Sequence, residues 1–258
     1  MKLIPLVFSA LLFAFDAFAQ VAPPDALFEK ISTNRDGYGQ VVFLFGDSYM
    51  RGWALGFFPD QATEEQQRRP DWPSRSPASM LEARGYVATY SSFIGQPDNA
   101  TAAADRIRGL IEKRIIRSGD VVVMEDAGQH DGNPLSYFDN WLLVGRELQK
   151  SGALMIMMTV PDHITATTIG GKRADLFRYS IDFGGISHND STIFAAHALG
   201  AELIDFKSII DHATKTGISV LHDDEIHPTI EGQRMMVDAI VQAIRECTSA
   251  CIGKHAER

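Results

Sequence analysis

Apolar runs alternate with amphipathic segments along most of the chain. Five of these apolar runs are bounded by Gly, Asp or Pro, which is typical of strands that are buried on both faces. They lie at 41–45, 86–92, 121–124, 153–160 and 201–206. The segments between them carry apolar residues at helical spacing. These segments predict helices at 79–84, 101–117, 135–150, 191–199 and 229–246, after a first short helix that ends near residue 31.

The order of these segments predicts the fold class. Parallel strands need a crossover connection, and an alternation of strands and helices supplies one at each step. We therefore expect a single α/β domain at 20–258, with three α/β/α layers around a mainly parallel, flavodoxin-like sheet of about five strands. Ligands bind beyond the carboxyl ends of the strands in such sheets. The stretch 162–185 has no clear period and predicts a long loop of the kind that forms lids or binding surfaces.

The first residues, 1–19, predict a cleaved secretory signal peptide. A positive charge at Lys2 precedes an apolar stretch at 3–15, and 17–19 has the small-x-small form that signal peptidase cuts. A transmembrane anchor is the alternative, but the stretch falls short of the ~20 residues that span hydrocarbon. We expect an exported protein, periplasmic or secreted, with no membrane span in the mature chain.

Composition and charge limit the class of protein and the kinds of partner that it can bind. The chain has 258 residues, of which 45% are hydrophobic and 22% charged, so disorder and collagen-like repeats are excluded. A net charge of -9 has the wrong sign for binding nucleic acid, and no such partner is expected. In an exported protein Cys247 and Cys251 are expected to form a local disulfide, with two unpaired thiols as the alternative.

Candidate catalytic residues follow the first predicted strand. Gly46, Asp47 and Ser48 come directly after its apolar run. A serine on a sharp turn at this position presents its hydroxyl where a base can activate it as a nucleophile. The same residue types are common in ordinary turns, which is the alternative interpretation.

A second candidate lies just before the last predicted helix. Asp224 precedes His227 by three residues, so both side chains can lie on one side of a turn. The carboxylate would hold the Nδ1 proton of the imidazole and leave Nε2 free to take a proton from Ser48. An acidic surface loop and a metal cluster are the alternatives, although the segment lacks HExxH or comparable ligand spacing.

Together these residues resemble the SGNH, or GDSL-type, hydrolase family. The first sequence block of that family matches at 45–49, with Ser48 as the nucleophile. The last block matches as Asp-x-x-His, which implies that Asp224 and His227 complete a catalytic triad. The resemblance spans about residues 41–245, and its specificity comes from the order of the blocks along the chain.

The resemblance also implies an oxyanion hole. Its donors would be the main-chain amides of Ser48 and Gly95 together with a side chain from the third block. That block is Gly-x-Asn-Asp in the family and Gly-Gln-His-Asp at 128–131 here, so His130 replaces the asparagine. His130 can donate through a protonated ring nitrogen, or it can face away and leave the hole to the two amides. Loss of one such donor typically costs on the order of 10²–10³ in rate.

The family implies hydrolysis of ester or thioester bonds without a metal or an organic cofactor. For an exported protein we expect a small-molecule or glycan acyl ester as substrate, first of all an O-acetyl group on a polysaccharide or glycan. A basic patch from Lys172, Arg173 or Arg178 would admit anionic substrates that the acidic surface disfavours. The alternatives are an O-acyltransferase that acts on a sugar hydroxyl, and a catalytically silent carbohydrate-binding protein, which the change at His130 favours.

Overall fold

Strands and helices alternate along the chain. The structure is a computed structural model that describes residues 26–46, 48–52, 76–92, 99–125, 134–161, 168–169, 172–173, 188–222 and 227–256. Its strands are β1 (Val41–Gly46), β2 (Val87–Ser92), β3 (Val121–Glu125), β4 (Leu154–Met158), β5 (Thr168–Ile169), β6 (Lys172–Arg173) and β7 (Glu202–Ile204). Its helices are α1 (Ala26–Thr33), α2 (Ser48–Arg51), α3 (Pro77–Glu82), α4 (Asn99–Glu112), α5 (Pro134–Ser151), α6 (His188–Leu199), α7 (Phe206–Lys215) and α8 (Ile230–Ala256).

The main sheet has five strands in the order β2-β1-β3-β4-β7, and every neighbouring pair is parallel. This confirms the predicted flavodoxin-like α/β/α fold. The chain passes outward from β1 to β2 and then returns to place β3 on the other side of β1. The strand order therefore reverses between β1 and β3, and a ligand-binding crevice is expected where these two strands end.

Two hydrophobic layers cover the two faces of this sheet. Side chains from α1, α4, α5 and α6 pack on one face, where Phe43 and Trp141 are almost completely buried. Side chains from α2, α3, α7 and α8 pack on the other, where Leu44 and Phe206 are buried. Neighbours in β1 face opposite layers because side chains alternate along a strand. This explains why all residues of β1 are buried and why its sequence is continuously apolar.

Some predicted elements differ from the observed ones. The expected strand 201–206 ends at Ile204, and Phe206 instead begins α7, a helix that the sequence analysis missed. Asp205 caps this helix by accepting from the Ser208 amide at 3.1 Å. The helix expected at 101–117 ends at Glu112, and Arg114 then adopts a left-handed backbone with φ 57°. Within the expected loop 162–185, β5 and β6 form a short antiparallel pair.

The last helix extends beyond the predicted 229–246 and contains both cysteines. Cβ atoms four residues apart on a helix lie ≈ 5–6 Å from each other, whereas a disulfide needs ≈ 3.5–4.5 Å. The expected bond between Cys247 and Cys251 is not formed, and the Cys247 thiol donates to Glu202 Oε2 at 3.6 Å. A disulfide here would require the helix to unwind. None of the helices in the described part of the chain is long and apolar enough to cross a bilayer.

Candidate active site

The carboxyl end of the sheet is formed by the last residues of its strands. They are Gly46, Ser92, Glu125, Met158 and Ile204. Ser48 follows Gly46 by two residues and begins α2, so the chain turns from strand to helix within a very short span. This places the main chain of the predicted nucleophile at the carboxyl end of the sheet, whereas its side chain lies outside the described part of the chain. The next residues, Tyr49 and Met50, are buried and fix α2 against the sheet.

His227 lies on the chain that leads into α8. Leu221 and Pro228 form an isolated antiparallel bridge, and the His222 amide donates to the His227 carbonyl at 2.9 Å. The Thr229 amide donates to the Val220 carbonyl, also at 2.9 Å. These contacts pair the two chain segments on either side of 223–226. They hold the main chain of His227 close to the start of α8, as the sequence predicted.

Thr229 joins this paired segment to the helix. Its hydroxyl donates to the Ser219 carbonyl at 3.0 Å and accepts from the Gly232 amide at 3.2 Å. The second bond is a helix cap, since it satisfies an amide that has no partner within the helix. A Cβ on Gly232 would stand 2.9 Å from Pro228 Cβ and still closer to the Val220 carbonyl oxygen. The close approach of helix and loop therefore depends on glycine at this position.

An aromatic contact connects the two predicted catalytic segments. The Tyr49 ring lies 6.3 Å from the His227 ring, measured between centroids, with the planes tilted by 35°. The same tyrosine also makes an edge-to-face contact with Phe206, with centroids 6.3 Å apart. Tyr49 is the residue after Ser48 and is only 3% exposed. Residues 48 and 227, distant in sequence, thus belong to segments that meet at the carboxyl end of the sheet.

The other predicted site residues cannot be placed in the same way. Gly95, His130 and Asp224 lie outside the described residues, and their roles stay predictions. The strands that precede the first two, β2 and β3, both end at the carboxyl end of the sheet. In the part of the chain that the structure describes, no three His, Cys, Asp or Glu side chains are grouped so that they could hold a metal ion.

One acidic side chain at this end of the sheet was not predicted from the sequence. Glu125 is the last residue of β3 and is only 2% exposed. The predicted strand stopped at Met124, because an acid after an apolar run reads as the start of a loop. Its position directly after a buried strand was the available signal, since residues at that point border the ligand crevice.

A second acid at the carboxyl end has a structural role. Asp205 accepts from the Ser208 hydroxyl at 2.6 Å and from the Thr159 hydroxyl at 3.1 Å. Burial raises the pKa of Asp205, but the hydrogen bonds from Ser208 and Thr159 and the charge of Lys207 outweigh burial and hold the pKa below its ordinary value. The ionised form therefore caps α7 and ties it to the end of β4.

Solved structures with this fold include lipolytic enzymes. A GDSL-like lipase from Bacteroides thetaiotaomicron matches with a TM-score of 0.52 at 15% identity, over 85% of this chain and 98% of that chain. An acetyl xylan esterase, AlAXEase, matches with a TM-score of 0.51 at 15% identity, over 79% of this chain and 98% of that chain. The protein YxiM of Bacillus subtilis matches with a TM-score of 0.50 at 15% identity over 82% of this chain, which spans 57% of that protein. No protein-family model and no curated protein matches the sequence.

At these identities the likeness concerns the fold. The parallel order β2-β1-β3-β4-β7 with helices on both faces is the architecture that this chain shares with GDSL-type hydrolases. The predicted resemblance to that fold is confirmed.

Proposed function

We propose that this protein is a serine esterase that hydrolyses a carboxylic ester. The observation that carries the proposal is the ring contact between Tyr49 and His227, because Tyr49 directly follows Ser48 at the end of β1. A serine hydroxyl is a weak nucleophile until a base within hydrogen-bonding reach removes its proton. An imidazole from a loop that meets the serine-bearing helix is suited to this task. The fold shared with a GDSL-like lipase and an acetyl xylan esterase agrees with ester hydrolysis.

The proposed reaction has two steps. Ser48 Oγ attacks the ester carbonyl while His227 Nε2 takes its proton, and Asp224 holds the Nδ1 proton of the imidazole. The imidazolium then protonates the leaving alcohol, which departs and leaves an acyl group on Ser48. Water, deprotonated by His227, attacks the acyl carbonyl; the bond to Ser48 Oγ then breaks, the imidazolium returns the proton to Oγ, and the acid is released. The amides of Ser48 and Gly95, with His130, would donate to the oxyanion in both steps.

For the substrate we propose an O-acetyl group on a polysaccharide or glycan. The predicted signal peptide at 1–19 supports export, so we expect the substrate to be an acyl ester outside the cytoplasm. One protein with the same fold is named as an acetyl xylan esterase. The net charge of -9 favours a neutral glycan over a strongly anionic one.

Hydrolysis of p-nitrophenyl acetate by the purified protein and its Ser48→Ala variant tests the proposal. We expect kcat to fall by a factor on the order of 10⁴–10⁶, because the nucleophile is lost while the fold is kept. Ser151→Ala is the matched control, since the Ser151 hydroxyl only bonds to the main chain at the opposite end of the sheet. Equal hydrolysis by the wild type and Ser48→Ala would discard Ser48 as the nucleophile.

Acetate release from acetylated xylan then tests the substrate class. We expect release from the glycan in water, and we expect added unacetylated oligosaccharide to leave the amount of free acetate unchanged. A protein that hydrolyses p-nitrophenyl acetate but releases nothing from acetylated glycans would contradict the proposed substrate. Binding of the glycan without any hydrolysis would indicate the silent carbohydrate-binding alternative.

A further inference from the structure

Gly46 and Glu125 end the two strands between which the strand order reverses. β1 and β3 pair in parallel, with Phe45 opposite Met124, so the last residues of these strands lie side by side. This is the point at which a doubly wound sheet opens its ligand crevice. An acidic side chain that is 2% exposed is costly to bury unless donors surround it. The position of Glu125 beside the chain segment that leads to Ser48 therefore needs a physical explanation.

The Glu125 side chain packs directly on the backbone of Gly46. A Cβ on Gly46 would stand 2.9 Å from Glu125 Cβ and 2.8 Å from Met50 Cγ, and it would meet Glu125 Oε2 even more closely. The absence of a side chain at residue 46 is thus what allows the carboxylate to reach the chain two residues before Ser48. On the far side, Glu125 is paired in register with Met158 of β4. The carboxylate therefore lies between the centre of the sheet, Gly46 at the end of β1 and Met50 of α2.

We propose that Glu125 is a positioning residue for the nucleophile: its buried carboxylate holds the turn between β1 and α2 in the conformation that presents Ser48. This inference rests on the proposed function of Ser48. The oxygens of a buried carboxyl group impose directions on the hydrogen-bonding groups around them. An apolar side chain of similar size would fill the same space without imposing such directions. The carboxylate thereby acts through Ser48 and does not touch the substrate.

Glu125→Gln tests the proposal, because glutamine keeps the size of the side chain and replaces an acceptor oxygen by a donor. We expect kcat for p-nitrophenyl acetate to fall about 10- to 100-fold with KM changed by less than about twofold, since a misplaced nucleophile slows the chemical step. The rate of labelling by a fluorophosphonate should fall by the same factor. Activity is expressed per molecule that is finally labelled, so that unfolded protein is not counted.

Asp120→Asn is the matched control, because it removes a buried carboxylate from the residue that precedes the same strand. We expect this variant to lower the Tm and to keep the wild-type kcat per labelled molecule. A Glu125→Gln variant with kcat within about twofold of the wild type would overturn the positioning role. Equal loss of kcat in both variants would overturn it too, since the effect would then follow stability alone.

Glu125→Asp covers the case in which the glutamine variant does not fold. It keeps the acceptor but withdraws it from Gly46 by one methylene, so we expect kcat to fall by at least about threefold with KM unchanged. Wild-type kcat in this variant would overturn the proposal. The wild-type protein distinguishes the two hypotheses: if it neither hydrolyses the ester nor reacts with the fluorophosphonate, the proposed esterase function fails, whereas failure of the positioning role alone leaves wild-type activity intact.

Discussion

The two ends of β3 each carry a buried acid, and the two acids have different surroundings. Asp120, just before the strand, is 1% exposed and is met by the Arg35 guanidinium, which reaches both carboxylate oxygens at 2.5 and 2.7 Å. The amides of Val41 and Arg117 also donate to it, at 2.9 and 2.8 Å. Glu125, at the other end, packs on the backbone of Gly46, two residues before Ser48.

The different surroundings of the two acids predict that Asp120 contributes to the stability of the fold and Glu125 to its activity. At the amino end the charge of Asp120 is neutralised within the fold, and Arg35 uses its remaining donors on carbonyls, among them that of Ile115 at 2.7 Å. This cluster joins the segment before β1 to the segment before β3 and does not reach the carboxyl end of the sheet. At the carboxyl end, the acid lies where the strand order reverses and where ligands bind. We therefore expect substitutions at the amino end to change stability and those at the carboxyl end to change kcat.

The same substitution at the last residue of β1 and two residues before its start should give the largest contrast. Gly46→Ala places a methyl group on the Glu125 carboxylate and Met50, so the turn that presents Ser48 must shift. We expect kcat/KM for p-nitrophenyl acetate to fall about 100-fold, the cost of a misplacement near 1 Å. Gly39→Ala is the control, since a Cβ there meets no atom within 4 Å. Equal activity of the two variants would show that the contact between Gly46 and Glu125 does not affect catalysis.

Asp120→Asn should give the opposite result. It leaves the Arg35 charge buried without its full partner, which typically costs about 3–5 kcal/mol of unfolding free energy. Urea unfolding followed by circular dichroism measures this loss, and kcat per labelled molecule should stay at the wild-type value. The matched control is Asp36→Asn, because Asp36 is paired with Arg117 at 2.5 Å but lies 89% exposed. Exposed pairs contribute about 0–1 kcal/mol, so a large loss of stability in this control would contradict the distinction.

Thr229→Val should have the smallest effect at the carboxyl end. The variant keeps the shape of the side chain but loses the bond to the Ser219 carbonyl and the bond from the Gly232 amide, the second of which caps α8. We expect a loss of about 1 kcal/mol of stability and a fall in kcat of about 3- to 10-fold, measured with p-nitrophenyl acetate. Thr229→Ser should restore kcat because it keeps the hydroxyl. Ser151→Ala, which removes a comparable hydroxyl at the amino end, should leave kcat unchanged, and an equal fall there would argue against a specific role for Thr229.

Much of the fold could be predicted because its central strands are buried on both faces. The continuous apolar runs that became β1, β3 and β4 follow from that burial, and the sheet topology follows from their alternation with helices. The rule that ligands bind at the carboxyl ends of strands also pointed to Ser48. His227 was placed by its position before the last apolar helix, and the structure brings its ring to Tyr49.

What the sequence could not provide depends on contacts between distant residues. The pairing of Arg35 with Asp120 joins positions 85 residues apart, and no local pattern indicates it. The burial of Glu125 follows from the neighbouring Gly46, which lies on a different strand. α7 was missed because its buried face is narrow: Phe206, Ile210 and Ala213 face the core among polar residues. The disulfide expected from the spacing of the cysteines is not formed, because α8 continues through both positions.

In the proposed mechanism, the imidazole at residue 227 activates the hydroxyl at residue 48. Fluorophosphonate labelling of the wild type and His227→Gln, followed by peptide mapping with mass spectrometry, tests it most directly. We expect a single adduct on Ser48 in the wild type, and labelling slowed by a factor on the order of 10³ or more in the variant, because the general base is lost. An adduct on another residue, or equal labelling rates in the two proteins, would contradict the claim.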